Sequence, residues 1–237
     1  MGVTGVIITG ASSGVGEATA IRLARRKPRR LLLSGRNPVR LMAVATECEH
    51  LGAEVQWLAG DLASREYLRD ILKLARSLGE IEGLVNAAGI GRFGPAVSVT
   101  DQMWDEVIAV NLSALFFLCR GIGALLRKQK STSTIVNVSS EADIVGYENA
   151  TAYCASKGGV LAMTRALETE YRMFGIRTCI LSPGRIDTRF HGKKPGMRPG
   201  ALTAGEVAEV IEFLITCSPN IRIREVRIDG MGMIKTD

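Results

Sequence analysis

The stretch Val6-Ile7-Ile8-Thr9-Gly10-Ala11-Ser12-Ser13-Gly14-Val15-Gly16-Glu17 decides how the rest of the chain is read. An apolar run ends at Thr9, glycines follow at Gly10, Gly14 and Gly16, and a helix-period pattern begins directly behind them. Strand, tight turn and helix in that order let a backbone approach a pyrophosphate. The unpaired N–H groups and partial positive charge of the helix N-terminus then face the anion. Gly10, Ser12, Ser13, Gly14, Val15 and Gly16 are therefore a candidate phosphate-binding turn. The spacing departs from the common G-x-G-x-x-G fingerprint, with three residues between the first two glycines. Taken alone, the run also reads as an ordinary glycine-rich turn.

Outward from this turn, short segments rich in Val, Ile and Leu alternate with longer helix-period stretches. Parallel strands joined by crossover helices produce this pattern. Strands are predicted at 3–9, 30–34, 54–59, 83–86, 134–139, 176–181 and 225–228. Helices are predicted at 16–26, 38–51, 64–78, 101–128, 152–174 and 204–216. Runs such as Leu31-Leu32-Leu33 are apolar throughout, as strands covered by helices on both faces must be. The expected fold is α/β: a single doubly wound (Rossmann) domain over residues 1–237, its seven-stranded parallel sheet flanked by helices on both faces. In such a sheet, ligands bind beyond the carboxyl ends of the strands.

Composition narrows the function. The chain has 237 residues, 46% of them hydrophobic, enough for one substantial core. The apolar runs are broken by Gly, Arg or Glu, so no segment is expected to span a bilayer, and no leader or lipidation pattern is evident. A soluble, cytoplasmic protein with no membrane partner is the expectation. Cys48, Cys119, Cys154, Cys179 and Cys217 are scattered without metal-ligand spacing, and His50 and His191 are the sole histidines, so no metal is expected. The net charge of +6 owes much to Arg22, Arg25, Arg26, Lys27, Arg29 and Arg30, a run that reads as a solvated face. Without interleaved aromatics, it does not point to nucleic acid.

The residues after the second predicted strand are Ser34-Gly35-Arg36-Asn37. A carboxylate there would bind an unmodified ribose, whereas an arginine accommodates a 2′-phosphate through charge-assisted bonds. Arg36 thus favours NADP(H) over NAD(H); a solvated arginine is the plainer alternative. In Tyr153-Cys154-Ala155-Ser156-Lys157, the four-residue spacing puts phenol and ammonium on one helix face. A cation near a tyrosine, whose ordinary pKa is about 10, favours phenolate and adapts the group to general acid/base work. Ser140, at the end of the fifth strand, can stabilise charge on a substrate oxygen.

Together these motifs resemble the compact, single-domain branch of the short-chain dehydrogenase/reductase family from about residue 3 to 230. The glycine turn resembles that family's T-G-x-x-x-G-x-G element. Asp61, with Leu62, resembles its adenine-contacting segment, and Asn86-Ala87-Ala88-Gly89 its N-A-A-G strand end. Ser140, Tyr153 and Lys157 match its serine and Y-x-x-x-K pair, and Asn111 matches its structural and proton-relay asparagine. The family's spacing selects Ser140 rather than Ser139. Pro183, Gly184, Ile186 and Thr188 resemble the nicotinamide-contacting segment, and Asn37 extends the cofactor contacts beside Arg36.

The resemblance implies an NADP(H)-dependent oxidoreductase acting on a small-molecule carbonyl or alcohol, with Tyr153 as acid/base and Lys157 holding the nicotinamide ribose and depressing the tyrosine pKa. It also implies a homodimer or homotetramer. A non-catalytic NADP(H)-sensing protein on this fold is the alternative; a sugar-nucleotide epimerase or dehydratase is disfavoured by the short chain and the glycine spacing. Phe93, Tyr147 and Phe190 are candidate substrate-lining residues by position. The lid, at about 189–203, lacks a helix signal and reads as mobile and open, and its Lys193, Lys194 and Arg198 are candidate attractors of an acidic or carrier-bound substrate.

Overall fold

The structure, a computed structural model, describes residues 3–26, 29–129, 131–192 and 195–232. In chain order the elements are β1 (Gly5–Thr9), α1 (Gly14–Ala24), β2 (Arg30–Gly35), α2 (Pro38–His50), β3 (Glu54–Ala59), α3 (Arg65–Ala75), β4 (Ile81–Asn86), α4 (Asp101–Ile108) and α5 (Ala114–Leu126). They continue with β5 (Ser133–Val138), α6 (Thr151–Tyr171), β6 (Ile176–Pro183), β7 (Ile186–Asp187), β8 (Leu202–Thr203), α7 (Ala204–Thr216) and β9 (Glu225–Ile228). Seven strands form one parallel sheet in the order β3-β2-β1-β4-β5-β6-β9. The chain winds outward from β1 through β2 to β3, then returns to place β4 on the other side of β1. That reversal opens a crevice at the carboxyl ends of β1 and β4.

The apolar strands serve two cores. Val6, Ile8, Leu31 and Leu33 pack on one face with α1, α2 and α7, while Ile7 and Leu32 point through the sheet towards α3, α5 and α6. Successive strand residues project to opposite faces, so a helix layer on each side makes every position of β1 a buried one.

Two expectations are corrected here. Residues 101–126 form one apolar helical stretch, with a mean hydropathy of 1.8 over its most apolar window, long enough by that measure to cross a membrane. Its buried side chains Leu115, Leu118, Cys119 and Ile122 belong to the second core, so it is seated as a core helix. A π-helical turn at Ala109–Ser113 divides α4 from α5. The basic run, too, is more than a solvated face: Arg22 and Arg26 pair with Glu212 of α7, Arg29 with Glu82 and Arg30 with Glu54. These pairs hold α1 to α7 and close the amino-terminal edge of the sheet. Lys27 lies outside the described residues.

Helix caps separate scaffold from site. Side chains cap α2 (Asn37), α3 (Ser64) and α4 (Thr100), and α7 carries a full capping box of Thr203 and Glu206. Each such cap contributes about 1 kcal/mol. The first turns of α1 and α6 have no side-chain cap, and both open on the crevice.

Candidate active site

The crevice is a continuous cleft of about 1060 Å³ along the carboxyl ends of the strands. At one end lies the turn between β1 and α1. Gly10 has φ +71°, and a Cβ there would lie 2.8 Å from the Ala88 backbone nitrogen, so the turn must be glycine for β1 to sit against the Ala87-Ala88 segment. Thr9 fixes that approach by accepting from the Ala88 N–H at 3.3 Å. Ser12, Ser13, Gly14 and Val15 line the cleft, and the uncapped α1 terminus leaves their N–H groups open to an anion. Gly16 lies beneath them, where a Cβ would meet the Gly10 carbonyl oxygen at 2.5 Å.

Arg36 lines the same end, joined by Arg40 from the first turn of α2. Neither side chain makes a hydrogen bond or ion pair among the described residues. By contrast, Arg92, also at the cleft, is paired with Glu106. Asn37 turns away from the cleft to cap α2, its Oδ1 accepting from Arg40 N at 3.0 Å. Asp61 and Leu62, after β3, line the adjoining wall.

At the middle, Ala87, Ala88 and Gly89 line the cleft after β4, but Asn86 sits below it. Its amide donates to Asn137 Oδ1 at 2.9 Å inside the sheet. Asn111 is also buried. From the π-helical turn it accepts from Ile90 N at 2.8 Å and donates to Ile90 O at 2.9 Å and to Ser156 Oγ at 3.0 Å. Both amide hydrogens are used, so the side chain ties the end of β4 to α6. A π-helical turn is a common device for re-aiming a residue at a site.

The other end gathers Ser140, Tyr153 and Lys157. Strand β5 stops at Val138, one residue short of its predicted end, yet the backbone stays extended through Ser140. The two serines are accordingly not equivalent: Ser140 hydrogen-bonds the Tyr153 phenol, while Ser139 Oγ is buried without a partner among the described residues. The four-residue spacing on α6 brings Lys157 Nζ to 5.7 Å from the Tyr153 ring centre and 3.0 Å from the Val138 carbonyl oxygen, to which it donates.

Electrostatics here differ from the expectation that lysine depresses the tyrosine. Burial is the largest influence on both groups. It pushes Tyr153 up to about 12, against the lowering effect of the Ser140 hydrogen bond, and pushes Lys157 down to about 8, against the raising effect of Asp143. Desolvation disfavours phenolate and ammonium alike. Tyr153 is thus held as a protonated phenol, suited to donating a proton.

Phe93 and Phe190 pack on that phenol, with ring centres 5.7 and 5.8 Å from it. Gly91 makes room: a Cβ there would lie 2.0 Å from the Phe93 ring. Tyr147 completes the lining, its phenol raised by burial and by Glu141. Pro183, Gly184, Ile186 and Thr188 line the facing wall.

The lid has more order than its composition suggests. β7 pairs with β8, and Arg198 donates to the Ile186 and Phe190 carbonyl oxygens, at 2.5 and 2.9 Å. Arg198 therefore holds the lid together, while the side chains of Arg185 and Arg189 line the cleft without polar partners among the described residues. Lys193 and Lys194 lie outside the described residues. Sequence reasoning missed Arg40, Gly91, Arg185 and Arg189, and weighed Ser139 as the alternative to Ser140. Of these, Arg40 carried a usable signal, being a second arginine one helical turn from Arg36.

The cleft fits a dinucleotide in shape and donor set: an uncapped helix start and glycine turn for a phosphate chain, two unpaired guanidinium groups at one end, and an orphaned buried hydroxyl, Ser139, beside the other. Among the described residues, no three His, Cys, Asp or Glu side chains gather where they could hold a metal ion.

Known proteins agree with this architecture. The profile of the short chain dehydrogenase family matches residues 4–198. A 3-oxoacyl-(acyl-carrier-protein) reductase of Thermotoga maritima is 34% identical over 94% of this chain and 95% of its own. An alcohol dehydrogenase of the archaeon Thermococcus sibiricus, solved with 5-hydroxy-NADP, superposes with a TM-score of 0.90 at 26% identity, covering 97% of each chain. A short-chain dehydrogenase of Sphingobium yanoikuyae in complex with NADPH superposes with a TM-score of 0.84 at 28% identity, covering 95% of this chain and 87% of that one. Motif, topology and similarity converge: the chain belongs to the short-chain dehydrogenase/reductase family of oxidoreductases.

Proposed function

We propose that this protein is an NADP(H)-dependent oxidoreductase that transfers a hydride between nicotinamide and a carbonyl or alcohol carbon, with Tyr153 as general acid/base. The observation that carries the reading is the Tyr153 phenol, kept protonated by burial and hydrogen-bonded to Ser140 in the cleft that also holds the glycine turn. Arg36 and Arg40, unpaired at the far end, support a preference for a cofactor bearing a 2′-phosphate. The complexes of two structural neighbours with NADPH and an NADP derivative support the same cofactor class.

In the direction of reduction, Ser140 and Tyr153 hydrogen-bond the substrate oxygen and stabilise the negative charge that develops there. NADPH, when bound, supplies the hydride that the carbonyl carbon accepts. Tyr153 gives its proton to the oxygen, so the product leaves as an alcohol. Lys157, charged below about pH 8, stabilises the phenolate left behind, and Asn111 positions α6 through Ser156. Phe93, Tyr147 and Phe190 give the substrate end an aromatic lining suited to the apolar body of a ketone. The protein is further proposed to act as a homodimer or homotetramer, with the exposed Trp104 and Phe116 available for pairing; light scattering showing monomer alone at micromolar concentration would contradict this.

The test is turnover of purified protein with NADPH against aromatic and alicyclic ketones, aldehydes and acyl thioesters. Consumption of reduced cofactor matched by alcohol product is expected. Tight cofactor binding without turnover on any of them would favour a sensing protein instead.

A further inference from the structure

Ser140 begins a turn, Glu141–Asp143, that the proposed reaction uses only at its first residue. The turn ends on a carboxylate whose side chain is 0% exposed. Asp143 does not line the cleft. Its Oδ2 accepts from Ser182 Oγ of β6 at 2.5 Å, and its Oδ1 accepts from Arg227 of β9 at 2.8 Å. Its own N–H donates to the Ser140 carbonyl at 3.0 Å and closes the turn. On the other side, a Cβ on Gly158 would lie 3.6 Å from the Asp143 carbonyl oxygen, so the turn lies against α6 at the residue after Lys157. One buried acid thus joins the Ser140 turn to two strands, beside the helix that carries Tyr153 and Lys157.

We propose that Asp143 is a positioning residue of the proposed reaction: clamped by Ser182 and Arg227, its carboxylate fixes the Ser140 turn and sets the charge balance around Tyr153 and Lys157. The inference rests on the reading of those two residues as the acid/base pair. A negative charge in the interior favours the protonated form of each neighbour, and Asp143 opposes burial at Lys157 and adds to it at Tyr153. Both effects retain the proton, so the phenol stays a donor while the lysine stays a cation. Arg227 tempers this field from β9. The other titratable groups nearby include Cys154 on α6, whose thiol raises Tyr153 as well, Glu141 on the same turn and Arg165 on α6; Arg165 senses Asp143 and is paired with Glu225. The clamp makes β9 part of the site, although its residues stand outside the cleft.

The test compares Asp143→Asn, which keeps the shape and removes the charge, with Arg227→Gln, which removes the half-exposed counter-charge. For Asp143→Asn, the alkaline fall of the reduction rate is expected to move down by roughly one pH unit. For Arg227→Gln it is expected to move up. The same opposite shifts are expected in the titration of the Tyr153 ring carbon, followed by NMR of isotope-labelled tyrosine in the NADP+ complex and assigned with Tyr153→Phe. A purely structural clamp would lower the melting temperature of both variants and leave both titrations in place; that result, or shifts in the same direction, overturns the proposal. Absence of turnover in the unsubstituted protein would overturn the functional reading instead, and the NMR titration would still decide the role of Asp143.

Discussion

The two ends of the cleft are made of different materials. At the proposed phosphate end the backbone predominates: a glycine turn and an uncapped helix start, with Arg36 and Arg40 reaching in from the surface. At the other end buried side chains dominate, with Tyr153 and Lys157 moved far from their ordinary pKa values by desolvation. On the proposed reading, an anion that arrives from water and must leave again is met by exposed donors, and a proton that must move on demand is held by groups whose charges are kept costly. Binding and chemistry are therefore expected to respond separately to substitution.

Tyr153→Phe gives the sharpest separation. Loss of the proton donor should lower kcat roughly 100- to 10 000-fold, while NADPH affinity measured by titration stays near that of the parent. Equal loss of binding would merge the two ends and remove the basis of the comparison. Arg36→Asp should do the reverse, weakening NADPH binding roughly 10- to 100-fold through loss of a charge-assisted bond and gain of repulsion. NADH affinity and kcat with NADH should be little changed. Arg40→Ala, measured alongside it, tests whether both guanidinium groups contribute.

The alkaline limb is a third probe. With Lys157 lowered to about 8, the ammonium is present below that pH and is lost above it, so the rate of reduction should hold towards neutral pH and fall above about 8. The fall should approach tenfold per unit once one essential proton is lost. Cofactor binding, resting on arginines and backbone N–H groups, should follow a different profile. A rate flat to pH 10 would show that the charge on Lys157 is not required. The smallest effect is expected at the aromatic wall: Phe93→Ala should raise KM for an aromatic ketone roughly 2- to 10-fold and leave a small aliphatic ketone almost unaffected.

Much of the proposed phosphate end is legible in the sequence because it is local. Gly10 to Gly16 is one continuous run, and Arg36 follows the next strand at a position whose chemistry is readable from residue type. Five of the seven helices and the seven main strands of the described residues are likewise separately visible in apolar periodicity. The fourth and fifth helices read as one, because a π-helical turn leaves no mark in composition. Strands β7 and β8, at two residues each, are too short for any alternation to show. The electrostatics of the proposed reacting end are the least legible. The Tyr153–Lys157 spacing is evident, but desolvation depends on what packs around the pair, including Phe93 and Phe190 from distant loops. Asp143 is a single acid in a turn, and its partners lie 39 and 84 positions away. Only the folded chain shows that it is buried.

The most direct test of the account is a single-turnover reaction with NADPH carrying deuterium at the transferable position of the nicotinamide, run with a ketone that fits the aromatic wall. The account predicts deuterium on the carbinol carbon of the product, with transfer slowed roughly 100- to 10 000-fold in Tyr153→Phe although cofactor remains bound. Tight NADPH binding with no deuterium transferred to any carbonyl in a broad panel would contradict it and leave a protein that reads the cofactor without reacting it.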